Sequence, residues 1–233
     1  MNHIALFAGM GGFIYATERN SINTVWANEI DPKCNIFLRQ HFPETEVSST
    51  SITDLNGADL AHLPETIDLL TAGFPCQSFS SAKNNQIAAF NDDRGQLFFQ
   101  IPRFIQLLEN PPKVVLLENV PTLREVDKGA MLKTILNEMR FAGYWVGEKT
   151  AEILSSRDYG GSAQDRNRIF IVCVHNSYLP LNPFLFSKLS KRVYADIFEV
   201  VDRSVRYSDE YYLGKESKYY KMIDQERRVH GGE

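Results

Sequence analysis

Cysteine is scarce in this chain, three in 233 residues, and Cys34, Cys76 and Cys173 form neither a CxxC pair nor a Cys/His cluster at metal-ligand spacing. That spacing argues against a structural zinc site and a disulfide framework, so free thiols in a reducing compartment are expected and no metal is called for. Positive charge is not in excess either: 25 Lys and Arg stand against 29 Asp and Glu, a formal net charge of -4. Attraction to a polyanion must therefore be local rather than global. No apolar run approaches the length of a membrane span, and the strand-like His3-Ile4-Ala5-Leu6-Phe7 is not preceded by a basic region with a long apolar stretch. A protein of the cytosol or nucleoid without a membrane partner is expected. Internal repeats and low-complexity tracts are absent, as are GxGxxG and GxxxxGK[ST], which disfavours a dinucleotide or a triphosphate as ligand.

What the chain does have is 43% hydrophobic and 12% aromatic content, enough for one substantial core and an appendage. Short apolar runs at Ile4 to Phe7, Thr24 to Ala27, Ile67 to Thr71, Val114 to Leu117 and Ile169 to Val174 read as strands. Between them, Asp31 to His41, Gly95 to Leu108 and Lys128 to Phe141 repeat apolar residues every three to four positions, as helices facing a sheet do. This alternation predicts an α/β fold with a mostly parallel, doubly wound sheet. Pattern is lost after Tyr178, so residues 1–178 are expected to form the main domain and 179–233 a connector leading into an incomplete region. Its mixture of tyrosine and lysine, as in Lys218-Tyr219-Tyr220-Lys221, suits stacking on nucleic acid or an ordinary surface segment equally.

Two places along this pattern carry chemistry. The first strand runs into Phe7-Ala8-Gly9-Met10-Gly11-Gly12, a turn that lets backbone approach a ligand closely, and Glu29 follows at the end of the second strand, where a carboxylate accepts hydrogen bonds from two ribose hydroxyls. A nucleoside without phosphates fits this pair best. Further on, the strand ending at Thr71 leads into Gly73-Phe74-Pro75-Cys76-Gln77, which places Cys76 at the carboxyl edge of the sheet, where a thiol can be exposed and activated. Cys173 lies inside an apolar strand and Cys34 on a helix; both read as packing residues. The polar stretch Ser81 to Asp93 reads as a lid or as a plain surface loop.

The strand from Val114 ends in Glu118-Asn119-Val120; a carboxylate after so apolar a run is expected to lose water, which raises its pKa and suits it to hold a proton. In Gln164-Asp165-Arg166-Asn167-Arg168 the two arginines alternate on entering a strand and so point to one face, able to grip a carbonyl, a phosphate or the glutamate.

In this order and at these separations, together with Asp93-Arg94-Gly95-Gln96-Leu97-Phe98, the segments resemble those of the cytosine-C5 DNA methyltransferase family over roughly the first three quarters of the chain. The resemblance implies the Rossmann-like fold of S-adenosylmethionine-dependent methyltransferases. It also implies a duplex DNA substrate whose target cytosine is rotated out of the stack. On that likeness Cys76 attacks C6, Glu118 contacts N3 and the exocyclic amine, and Arg168, helped by Arg166, holds O2. S-adenosylmethionine, leaving as S-adenosylhomocysteine, would be lined by Phe7, Ala8, Gly9, Met10, Gly11, Gly12, Glu29, Ile30, Ile52, Pro75 and Leu97. Gln77, Ser80 and Arg94 would approach DNA.

Three departures from the family pattern matter. Ser51 stands where an acidic residue usually meets the adenine amine, which either weakens the cofactor or leaves Asp54 to compensate; Ala163 replaces a proline. After the strand beginning near Arg168, the target-recognition domain and the two motifs that follow are not visible before Glu233. The expectation is one polypeptide of a split enzyme, or a truncated one, completed by a second polypeptide within a restriction-modification system. A non-catalytic module that keeps the fold, and a transfer-RNA cytosine methyltransferase, are the alternatives.

Overall fold

The structure, a computed structural model, describes residues 1–75, 95–160 and 164–179. Its spine is an eight-stranded sheet. Strands β1 (Asn2–Leu6), β2 (Asn23–Asn28), β3 (Glu46–Ser48), β4 (Leu69–Ala72) and β5 (Val114–Asn119) run parallel in the order β3-β2-β1-β4-β5. The long strand β8 (Asn167–His175) then pairs antiparallel with β5, from Val114↔Val174 to Asn119↔Ile169. Its other edge is shared by β6 (Tyr144–Trp145) beside His175 and β7 (Ala151–Ser155) beside Asn167 to Ile171. Strand order reverses between β1 and β4, and the crevice beyond the carboxyl ends of such a pair is where open α/β sheets take ligands.

Helices α1 (Gly12–Glu18) and α2 (Pro32–His41) follow β1 and β2, and α3 (Gly57–Leu60), α4 (Gln100–Leu107) and α5 (Ala130–Phe141) come later in the chain. Helix α2 is started by Asp31, whose carboxylate accepts from the Lys33 and Cys34 amides, and by Pro32 in the first turn. Strand alternation then sorts the core. Ala5 and Ala27 join Ile14, Leu38 and Phe42 in one cluster, while Ile4, Leu6 and Trp26 belong to the larger cluster with Phe104, Ile135 and Met139. Trp26 stacks on Phe104 at 5.6 Å between ring centroids.

Two expectations change. The helix expected from Lys128 begins at Ala130, because Asp127 and Lys128 adopt left-handed backbone (φ 50° and 54°) ahead of Gly129 (φ 84°). The one expected from Gly95 opens as a 3₁₀ turn over Gly95–Phe99 before α4 starts.

Candidate active site

The glycine turn is shaped by left-handed backbone at Phe7 (φ 53°), Gly9 (φ 54°) and Gly11 (φ 79°). At Gly11 the absence of a side chain is a packing requirement as well, since a Cβ there would sit 2.4 Å from Cε2 of Phe42. Helix α1 starts immediately after, at Gly12. Glu29, just past the end of β2, is held on both carboxylate oxygens: Gly9 N–H donates to Oε2 at 2.7 Å and Asp31 N–H to Oε1 at 2.8 Å. The glycine turn and the carboxylate, 20 residues apart in sequence, are thus one unit. A carboxylate accepts about four hydrogen bonds, so lone pairs remain for hydroxyl donors.

Around this unit, Phe7, Ala8 and Gly9 are half-buried, Met10, Gly12 and Ile30 are exposed, and Ile52 is buried. Pro75 and Leu97 are half-buried. The Ser51 hydroxyl lies 2.8 Å from that of Thr53, which donates to Asp54 at 3.0 Å.

At the neighbouring strand ends, Glu118 lies within β5, which runs one residue past it. Its Oε1 accepts from Nε of Arg168 at 2.8 Å, and the Nη1 of that arginine also donates to the Asn167 carbonyl at 2.7 Å. Burial raises the pKa of Glu118 and outweighs the opposing pull of Arg168 and Arg166. Both arginines and Glu118 line one cavity of about 540 Å³, with Gly12, Phe13, Tyr159 and Phe170 among its other walls. The alternation read from the sequence therefore does bring the two arginines to one side, and of the targets open to Arg168 it grips the glutamate. Arg166 is steadied through its backbone, which exchanges hydrogen bonds with Ser156: N–H to Oγ at 3.1 Å and O from N–H at 3.0 Å.

The loop leading to Cys76 passes against this carboxylate. A Cβ on Gly73 would stand 3.2 Å from Oε2 of Glu118, so only a bare backbone passes without displacing the glutamate. One residue on from Glu118, the buried Asn119 faces the opposite way and holds the same loop. Its Nδ2 donates to the Phe74 carbonyl at 3.0 Å and its Oδ1 accepts from Val120 N–H at 2.8 Å. Sequence reasoning noted Asn119 within a motif but gave it no role. Cys76, Gln77, Ser80 and Arg94, like Ala163 and the segment from 180 onward, lie outside the described residues.

The other two cysteines differ from each other. Cys173 is fully buried and its thiol pKa is pushed well up, as expected of an inert packing residue. Cys34 is half-buried in the first turn of α2, a more open position than the packing role expected for it, and desolvation followed by Glu29 and Asp31 raises its pKa. Among the described residues no group of His, Cys, Asp and Glu is arranged to hold a metal ion.

Comparison with known proteins gives the family of the chain. A description of C-5 cytosine-specific DNA methylases matches residues 1–231. The chain belongs to that family. It is 37% identical over 199 residues to the type II methyltransferase M.HpaII of Haemophilus parainfluenzae, covering 84% of this chain and 52% of that protein. With M.HhaI of Haemophilus parahaemolyticus it shares 36% over 188 residues, 81% of this chain and 53% of the relative. The chain thus spans about half the length of these curated relatives. Among solved structures, the Entamoeba histolytica methyltransferase EhMeth superimposes with a TM-score of 0.72 at 21% identity, over 92% of this chain and 63% of that one. S. pombe Dnmt2 gives 0.55 at 23%, over 76% and 50%. At these identities the structural likeness speaks for the Rossmann-like methyltransferase fold alone, as the sheet order had indicated.

Proposed function

We propose that this methylase chain carries the catalytic centre of a DNA cytosine-C5 methyltransferase, acting on a cytosine rotated out of duplex DNA. The observation that carries the reading is the Glu118–Arg168 pair, 2.8 Å apart on the wall of a cavity of about 540 Å³ that also reaches Gly12 of the nucleoside turn. S-adenosylmethionine fits the turn, because Glu29 has acceptor capacity left for ribose hydroxyls beside backbone bent by Phe7, Gly9 and Gly11. When bound, it supplies an electrophilic methyl group.

Cys76, as thiolate, adds to C6 of the flipped base. Negative charge then develops around N3 and O2, and Glu118, its pKa raised by burial, holds the proton at N3 while Arg168 and Arg166 face O2. C5 becomes nucleophilic and would take the methyl group, with S-adenosylhomocysteine as the leaving group. Loss of the C5 proton to a base and departure of the Cys76 sulfur from C6 as thiolate restore the aromatic ring, and the N3 proton returns to Glu118. Gly12, Phe13 and Phe170 flank the cavity in which the base would lie.

The bacterial type II relatives support a further reading: the enzyme serves a restriction-modification system in the bacterial cytosol or nucleoid, and a second polypeptide takes part in target recognition. Among the described residues no helix is long and apolar enough to cross a membrane. The test is transfer of tritiated methyl groups to mixed-sequence duplex DNA, with and without polypeptides encoded beside this chain. Label that depends on the partner and vanishes in Cys76→Ala is the expected result. Label in RNA but not DNA, or none under any condition, would overturn the assignment.

A further inference from the structure

Arg103 on α4 directs its guanidinium at the backbone of a segment about fifty residues earlier. Nη1 donates to the Leu55 carbonyl at 3.0 Å and Nη2 to that of Ile52, while Nε donates to Oε1 of Gln100 at 2.6 Å. The planar fork of an arginine fixes direction as well as distance, so two carbonyls three residues apart are set relative to α4. Residues 49–56 form neither strand nor helix; their backbone is held at two stations. At the near one, Asn28 Nδ2 donates to Thr50 O at 2.8 Å and Glu29 N–H to Ser48 O at 3.1 Å. Arg103 is the far one, and Ile52 and Leu55 turn their side chains into the core below it.

The near station is made by Asn28 and by the backbone of Glu29, next to the carboxylate of that residue. With its ribose on that carboxylate, a nucleoside would extend its base toward the segment that leaves β3, the one Arg103 holds at its other end. We propose that Arg103 is a positioning residue for cofactor binding: without touching the cofactor, it sets where the 51–55 backbone stands against the edge of the adenine. This rests on the cofactor reading above. It also gives the missing acidic residue at Ser51 a physical context, since a wall held by backbone staking rather than by a charged side chain depends more on where that backbone is kept.

Isothermal titration of the whole chain with S-adenosylhomocysteine and with S-inosylhomocysteine, in which a carbonyl replaces the adenine amine, tests the idea. The wild type should prefer the adenosyl compound. Arg103→Ala should weaken it by about ten-fold or more and weaken the inosyl compound less, so that the preference narrows. Arg103→Lys, which reaches one carbonyl instead of two, should fall between and decides the matter if the alanine variant does not fold. A merely structural role would weaken both ligands equally, and that outcome in either folded variant, or no weakening at all, overturns the proposal. A wild type that binds neither ligand, or both alike, overturns the adenine reading itself and this inference with it.

Discussion

Glu118 and Arg168 meet at 2.8 Å although they come from antiparallel neighbours, β5 and β8, and each side chain is less than a quarter exposed (23% and 22%). The pair is held in a cavity wall, where burial lifts the carboxyl pKa and the guanidinium restrains that rise. Removing the arginine leaves burial less opposed. In Arg168→Ala the Glu118 pKa should rise further, read from the carboxyl carbon signal of labelled protein titrated by NMR; an unchanged or lower pKa would mean the two groups are not coupled. With a competent partner present, Glu118→Gln should slow methyl transfer by about a hundred-fold or more, the scale of losing one aimed group at a developing charge.

Asn119 is buried and bridges Phe74 O and Val120 N–H. In Asn119→Ala both lose their partner, and urea unfolding should show a loss of about 1–3 kcal/mol. Alkylation of Cys76 by iodoacetamide should change rate in the same variant, because the loop carrying it is no longer held. A loss of stability without any change in alkylation would confine Asn119 to a structural role.

The adjacent glycines should behave oppositely. Gly11→Ala meets both a left-handed backbone (φ 79°) and the Phe42 ring, whereas a Cβ at Gly12 has no atom within 4 Å. Thermal melts should place Gly11→Ala below the wild type by about 1–3 kcal/mol or more and leave Gly12→Ala close to it. Equal melting of the two would contradict the packing of α1 on α2.

His3 is fully buried, with Nδ1 2.8 Å from Thr24 Oγ1 and 3.3 Å from Thr17 Oγ1, and Nε2 2.8 Å from Thr71 Oγ1. Desolvation pushes its pKa down from 6.5 to about 4. Above pH 6.5 the ring is neutral both folded and unfolded, so it adds no pH dependence there. Between about pH 6.5 and 4 the unfolded chain takes up the proton and the folded chain does not, so stability falls by up to about 3 kcal/mol. Denaturant midpoints measured across this range should show that slope, and His3→Gln should flatten it relative to the wild type.

The strands that carry the site were legible because each ends in chemistry: an apolar run followed by Glu118 or by Gly73 announces both the strand and the residue it delivers. Strands β3 and β6 were not, since three residues and two residues are too few for a period to show. Strand β7, with Glu152 between Ala151 and Ile153, escaped because it lies on the outer edge of β8 rather than in the parallel core. Arg103 and His3 left no trace in the sequence for a different reason. The arginine answers to carbonyls, which every residue has, and the histidine to threonines 14 to 68 positions away. The left-handed run at Asp127–Lys128 likewise lies in residues whose usual preference is otherwise.

Strand β8 is made last among the described strands yet lies inside the sheet, between β5 and the β6 and β7 edge. A ribosome releasing this chain therefore delivers Glu118 well before the arginine that will face it. The pair on the cavity wall therefore depends on the strand that closes the ladder beside β5: without β8 in its place, Glu118 lacks the guanidinium that meets it in the finished sheet.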